Sequence, residues 1–113
     1  MHEMSLCESI LQTLEHQAQV QNFQQVKVVY LEIGALAGVE VEALRFSFGV
    51  VMQGSLAEHA SLEVITIPGL ARCAGCAQEV IVQHRYDECP LCGHHRLQLL
   101  DGAQMRIKEL EVE

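Results

Sequence analysis

The chain has 113 residues, half of them hydrophobic, which suits one domain with room for one small additional module. Its 15 acidic and seven basic residues give a formal net charge of −8. That charge disfavours binding to phosphate backbones and to anionic membranes, and it favours binding to basic protein surfaces and to cations. The sequence shows neither a signal peptide nor an apolar run long enough to span a bilayer, so it predicts a cytoplasmic protein.

Apolar residues recur at helical spacing from Leu6 to Ala18 and predict a first amphipathic helix. Ser5 and Glu8 have the spacing of a capping box, which predicts that this helix starts near Ser5. The first three residues, 1–3, should then precede the helix as an extended and accessible end.

Four further elements follow the first helix in the pattern expected of a small α/β body. β-branched residues predict strands before Gly34 and before Pro68-Gly69, and a helical apolar stripe lies between them. The expected elements are a strand over Val26–Ile33, a helix over Glu40–Met52, a strand over Leu62–Ile67 and a last strand over Met105–Val112.

The segment 70–98 differs from the rest of the chain, because it combines cysteines, histidines and polar loops with few apolar residues. The sequence therefore predicts an α+β fold in which two helices lie on a mixed sheet of three to four strands, with an inserted zinc-ribbon-like module. The predicted boundaries are 1–68 and 102–113 for the body and 69–101 for the module.

Four cysteines form two C-x2-C pairs, Cys73 with Cys76 and Cys89 with Cys92. Each pair makes a tight turn that directs two sulfurs at one ion, and two such turns complete a tetrahedron of thiolates around structural zinc. Gly75 and Gly93 suit the open backbone that these turns require.

Two alternatives to zinc remain for these four cysteines. A reducing compartment argues against disulfides, and the scarcity of aromatic residues argues against a rubredoxin-like iron site, in which thiolates bind iron. The fifth cysteine, Cys7, falls on the apolar stripe of the first helix and is interpreted as a core residue.

The N-terminus offers a second donor set of a different chemistry. The amine of Met1, the amide of His2 and the His2 imidazole would form adjacent small chelate rings. A planar set of nitrogen donors suits Ni(II) or Cu(II).

The opening MHEMSLCESI, the stretch LEIGALAGVEVEALRFSF and the two C-x2-C motifs resemble the HypA/HybF family of hydrogenase maturation nickel metallochaperones. The resemblance implies a nickel-binding α/β domain joined to a zinc domain. It implies that the chain carries Ni(II) to the immature large subunit of [NiFe] hydrogenase with the GTPase HypB. Urease accessory proteins are further possible partners, and neither a nucleic acid, a membrane nor catalysis is expected.

The resemblance also implies site residues. The nickel ligand corresponds to His2, assisted by the backbone of Met1 and Glu3, and Glu40 is expected near the nickel end. The four zinc ligands correspond to Cys73, Cys76, Cys89 and Cys92.

Two questions stay open at this point. His94 and His95 follow the second cysteine pair and are either solvated residues or transient metal contacts. The alternative function is a zinc-ribbon module for protein or nucleic-acid interaction, which the net charge and the 4% aromatic content disfavour.

Overall fold

The computed structural model describes residues 3–113, and no helix in that range is long and apolar enough to cross a membrane. The described chain forms two three-stranded sheets, with strand orders β2-β1-β6 and β4-β3-β5. Its elements in chain order are α1 (Glu3–Gln21), β1 (Val26–Gly34), α2 (Val41–Val51), β2 (Ser61–Ile67), β3 (Gly69–Cys73), β4 (Glu79–Val82), β5 (Leu97–Asp101) and β6 (Met105–Val112).

The first sheet is mixed, as predicted. The Val26 N–H at the start of β1 donates to Leu56 before β2, and the Ala35 N–H just after β1 donates to Ile67 at the end of β2. These two strands therefore run in the same direction. Strand β6 runs antiparallel to β1, because the Gly34 N–H donates to Gln104 while the Glu113 N–H donates to Gln25. The α+β class with two helices and a mixed sheet is therefore confirmed.

Helix α1 begins earlier than the sequence predicted. It includes Glu3, so Ser5 lies inside its first turn and is not its N-cap. The carboxylate of Glu3 is favourable there, since the N-terminal end of a helix carries partial positive charge. The expectation that Glu3 precedes the helix is therefore wrong, while Met1 and His2 lie outside the described residues.

The apolar stripes of the two helices pack as predicted. Cys7, Ile10 and Leu14 are buried on α1, and Leu44 and Phe48 are buried on α2. Four apolar residues of β1 are also buried, and they are Val26, Val29, Leu31 and Ile33.

The described chain divides into two compact units. The first unit contains the chain up to Leu31 together with Val39–Val64 and Ile107–Glu113, and the second contains Glu32–Gly38 and Ile65–Arg106. Ten acidic and three basic residues lie in the first unit, a formal charge of −7. Five acidic and four basic residues lie in the second, a formal charge of −1.

The second unit has more core than the sequence suggested. Strand β3 pairs antiparallel with both β4 and β5, so the cysteine-rich segment contains a sheet rather than only polar loops. One face of this sheet is buried. Ala71 and Cys73 on β3 alternate with less buried residues, and Val80 and Val82 on β4 alternate with exposed ones. Leu36 and Cys89 complete this core.

Two glycines in the second unit bring backbone against backbone. A Cβ atom on Gly34 would lie 2.0 Å from the Gly102 carbonyl oxygen, and that oxygen also accepts the Leu36 N–H at 2.8 Å. Gly102 itself has a φ of +89°, and a Cβ there would lie 2.4 Å from the Pro68 oxygen. Neither position has space for a side chain.

Candidate metal centres

The four cysteines predicted to bind zinc come together in the second unit. Cys73 is the last residue of β3, and Cys76 follows it in a turn closed by the Ala77 N–H donating to the Cys73 carbonyl at 2.9 Å. An equivalent turn joins Cys89 to Cys92, closed by the Gly93 N–H donating to the Cys89 carbonyl at 2.8 Å.

The sulfur atoms have the spacing of a tetrahedral metal site. All four Sγ atoms lie within 4.8 Å of one another, with Cys73 and Cys92 3.5 Å apart and Cys76 and Cys89 3.8 Å apart. Four sulfurs at about 2.3 Å from one zinc ion would be separated by about 3.8 Å. All four cysteines are free, so the disulfide alternative finds no support, and the donor set fits a structural zinc ion.

The surroundings shift the pKa values of two of these thiols, Cys89 and Cys92, in opposite directions. Burial opposes ionisation of Cys89, but the backbone N–H groups of Cys92 and Leu91, together with the thiols of Cys73 and Cys92, lower its pKa to about 7. The His94 N–H favours ionised Cys92, but the sulfur of Cys73, burial and the other two sulfurs raise its pKa to about 12. Four adjacent thiolates therefore need a bound cation to be stable together.

Only one of the two glycines expected to adopt an open backbone conformation in these turns has a positive φ. Gly93 has the expected positive φ, +77°, but in the first turn that conformation falls on Ala77, whose φ is 59°. Gly75 instead provides space, because a Cβ there would lie 2.9 Å from the His94 ring.

The two histidines after the second pair differ in their contacts. The Nδ1 atom of His94 accepts the Arg96 N–H at 3.1 Å, and its carbonyl accepts the Cys89 N–H at 2.9 Å. His95 is exposed and lies 3.7 Å from a carboxylate oxygen of Glu88. His94 thus supports the turn, a role that its position in the sequence did not reveal.

The predicted nickel ligand His2, like Met1, lies outside the described residues. The structure does bring together the two acidic residues expected near it, because the Glu40 N–H donates to Oε2 of Glu3 at 3.2 Å. Glu40 is the N-cap of α2, and its own side chain makes no capping hydrogen bond. Glu3 therefore supplies an acceptor at the start of α2.

Cys7 has the core position that the sequence predicted. Its side chain is fully buried, and its Sγ lies 3.6 Å from the carbonyl of Leu44, to which it donates. Burial, with a smaller contribution from the Glu3 carboxylate, raises its pKa to about 11. A thiol held neutral in this way is a poor metal ligand.

Known proteins similar to this chain share its full length. The family model described as "Hydrogenase/urease nickel incorporation, metallochaperone, hypA" matches residues 1–112. Hydrogenase maturation factor HypA of Azotobacter chroococcum is 58% identical over 113 residues, and that of Azotobacter vinelandii is 56% identical. Each alignment covers 100% of both chains.

The fold is also shared with a solved structure. The solution structure of the Ni metallochaperone HypA from Helicobacter pylori matches with a TM-score of 0.72 at 22% identity, over 99% of this chain and 97% of that one. The fold thus agrees with the sequence match. The chain belongs to the HypA family of nickel metallochaperones for hydrogenase maturation.

Proposed function

We propose that this chain binds Ni(II) as cargo and delivers it to the immature large subunit of [NiFe] hydrogenase. The observation that carries the proposal is the family match over residues 1–112. The four-cysteine cluster supports it, because a closed tetrahedral zinc site leaves no open position for catalysis and suits a structural role. The protein therefore acts by binding and transfer rather than as an enzyme.

The nickel site is proposed at the N-terminus, away from the thiolates. His2 supplies its imidazole, and the backbone of Met1 and Glu3 supplies further nitrogen donors, a set that suits Ni(II). The hydrogen bond from Glu40 to the Glu3 carboxylate supports this assignment, because it places a second carboxylate-bearing residue close to the same end. In this arrangement the side chain of Glu3 accepts a hydrogen bond at the start of α2, and the backbone of Glu3 binds nickel.

Zinc is proposed to be held by Cys73, Cys76, Cys89 and Cys92. Soft thiolates favour zinc, and a site made of nitrogen donors favours nickel, so the two metals are separated by ligand chemistry. The nickel domain is proposed to comprise residues 1–68 and 102–113, and the zinc domain residues 69–101.

The proposed partners are the GTPase HypB and the hydrogenase large-subunit precursor, with urease accessory proteins as additional candidates. The first unit, with its formal charge of −7, is suited to contact basic surfaces of such partners. The proposed location is the cytoplasm, where these thiols stay reduced.

Nickel titration of a His2→Ala variant tests the site directly. We expect stoichiometric nickel binding to be lost and the zinc content to remain one per chain. The matched control is His16→Ala, which removes an exposed imidazole from α1 and should bind nickel like the parent. If His2→Ala binds nickel as tightly as the parent, the site lies elsewhere, and His94 and His95 are then the first residues to examine.

The backbone donors need a separate experiment. A tag fused before Met1 converts the Met1 amine to an amide, so the proposed donor atoms no longer lie at the end of the chain. The His2 side chain is retained. We expect this protein to bind nickel markedly more weakly than one with the same tag at the C-terminus. Identical titration curves would exclude the terminal amine as a ligand.

A further inference from the structure

Three arginines of the second unit line one groove beside the zinc site. They are Arg72, Arg85 and Arg96, three of only seven basic residues in the whole chain. The groove has a volume of about 660 Å³ and no carboxylate among its lining residues. Tyr86, 95% exposed, also lines it. This local concentration of positive charge contrasts with the negative net charge of the chain as a whole.

Among the residues that the structure describes, two of these three guanidinium groups have no carboxylate partner. Arg72 pairs with Glu79 at 3.0 Å in an exposed contact. Within residues 3–113, neither Arg85 nor Arg96 forms an ion pair. Both therefore keep their planar donor groups available for an anion, and guanidinium groups bind carboxylates through two parallel hydrogen bonds.

The loop that carries Arg85 and Tyr86 is held by its own hydrogen bonds. The Asp87 carboxylate accepts the N–H groups of Gln83 at 2.8 Å and His84 at 2.9 Å, which lowers the pKa of Asp87. The Asp87 N–H in turn donates to the His84 carbonyl. The loop is thus a closed turn, which reduces the entropy lost when its side chains bind a ligand.

Arg96 is fixed through the cysteine turns. Its N–H donates to His94 Nδ1, and its carbonyl accepts the N–H of Ala74, the residue after Cys73. The zinc-binding turns therefore position Arg96 at the groove, and their metal would keep it in place.

From this arrangement we propose that the groove binds an acidic peptide segment of a partner protein, with Arg85 and Arg96 on its carboxylates and Tyr86 against its side chains. Binding depends on zinc, because the metal holds the turns that carry Arg96. The first unit, at −7, does not attract an acidic segment, whereas the arginines of this groove do. The groove offers few charges, so it suits a short run of carboxylates better than a nucleic acid, whose phosphates demand a broad basic surface.

Fluorescence anisotropy of a labelled peptide of six glutamates tests the proposal, with zinc-loaded, nickel-free full chain. We expect binding that weakens as salt rises, and no binding of a peptide of six glutamines. The double variant Arg85→Gln with Arg96→Gln should lose at least tenfold in affinity. The control, Lys27→Gln with Lys108→Gln, makes the same change in net charge at exposed positions outside the groove and should lose less than about twofold.

Several results would overturn the proposal. These are equal losses in the two double variants, equal binding of the glutamine peptide, undiminished binding after zinc chelation, and no binding by the parent. Tighter binding of a six-nucleotide single strand than of the glutamate peptide would replace the acidic peptide with a nucleic acid. Since nickel is absent throughout, the outcome is independent of the nickel site.

Discussion

The carboxylate of Glu3 accepts the backbone N–H of Glu40 at 3.2 Å, which joins the first residue of α1 to the N-cap of α2. In a capping box the acceptor for this N–H comes from the third residue of the same helix. Here another helix supplies it, from 37 positions away in sequence. The start of α2 thus depends on a side chain from the first turn of α1.

Glu3→Ala should therefore lower the free energy of unfolding by about 0.5–1 kcal/mol, because the start of α2 loses an acceptor. Glu3→Gln keeps a carbonyl oxygen and should lose less. Urea unfolding gives both values, with Glu8→Ala, an exposed glutamate on the same helix, as the control. A loss for Glu8→Ala as large as that for Glu3→Ala would show that capping is not the cause.

Replacing Cys76 with Ala should remove zinc and disorder the two cysteine turns, since three thiolates no longer close the tetrahedron. The first unit should stay folded, because all four of these cysteines lie in the second unit. Metal analysis and amide NMR spectra measure both effects, and Cys7→Ala should keep one zinc per chain. One zinc per Cys76→Ala chain would contradict the assignment.

The absorption spectrum of the parent distinguishes zinc, which is colourless, from iron, which is red with four thiolates.

The buried thiol of Cys7 should make stability depend on alkaline pH. Its pKa is raised from 9.0 to about 11, so the folded state retains a proton that the unfolded state releases. This contribution is fully present below pH 9 and is lost as the pH rises towards 11. The stability difference between parent and Cys7→Ala should therefore shrink over that interval by roughly 2 kcal/mol. A constant difference from pH 8 to 11 in urea unfolding would disprove this role.

Gly34→Ala should destabilise the second unit by about 3 kcal/mol or more, because its Cβ would overlap a backbone oxygen that no rotamer change moves. Gly49→Ala is the matched control. Gly49 lies within α2, and a Cβ there meets nothing within 4 Å, so alanine should stabilise the helix by about 0.5–1 kcal/mol. Thermal unfolding of both variants measures the contrast, and similar melting temperatures would refute it.

The two helices and the strands of the first sheet could be predicted from the sequence because their apolar periodicity is strong. The strand β6 has the predicted bounds, Met105–Val112, and the stripe containing Leu44 and Phe48 is buried as expected. The start of α1 was missed, since the capping-box spacing of Ser5 and Glu8 competes with the favourable position of Glu3 in the first turn. Local spacing alone does not reveal a partner 37 residues away.

The sheet of the second unit was not predicted from the sequence, for a different reason. The buried face of β3 consists of small residues, Gly69, Ala71 and Cys73, which give little apolar signal, and β4 contributes only two buried valines. The cysteine tetrahedron, by contrast, followed from spacing, because two short turns restrict where sulfurs lie. The His94 ring over Gly75 depends on three-dimensional approach and had no sequence signature.

The contact between Gly34 and Gly102 also bears on the order in which a newly made chain reaches its final form. The four cysteines proposed to bind zinc come together by closing a short loop, since Cys73 and Cys92 are separated by only 19 positions. The glycine contact joins segments 68 residues apart and requires the chain to extend past residue 102. Short loops close before long ones, so metal capture by the cysteine turns should precede the packing of Gly102 on Gly34. Without zinc, folding would then stop before the contact between Gly34 and Gly102 forms, so a supply of zinc is needed before the chain can take up nickel in its final form.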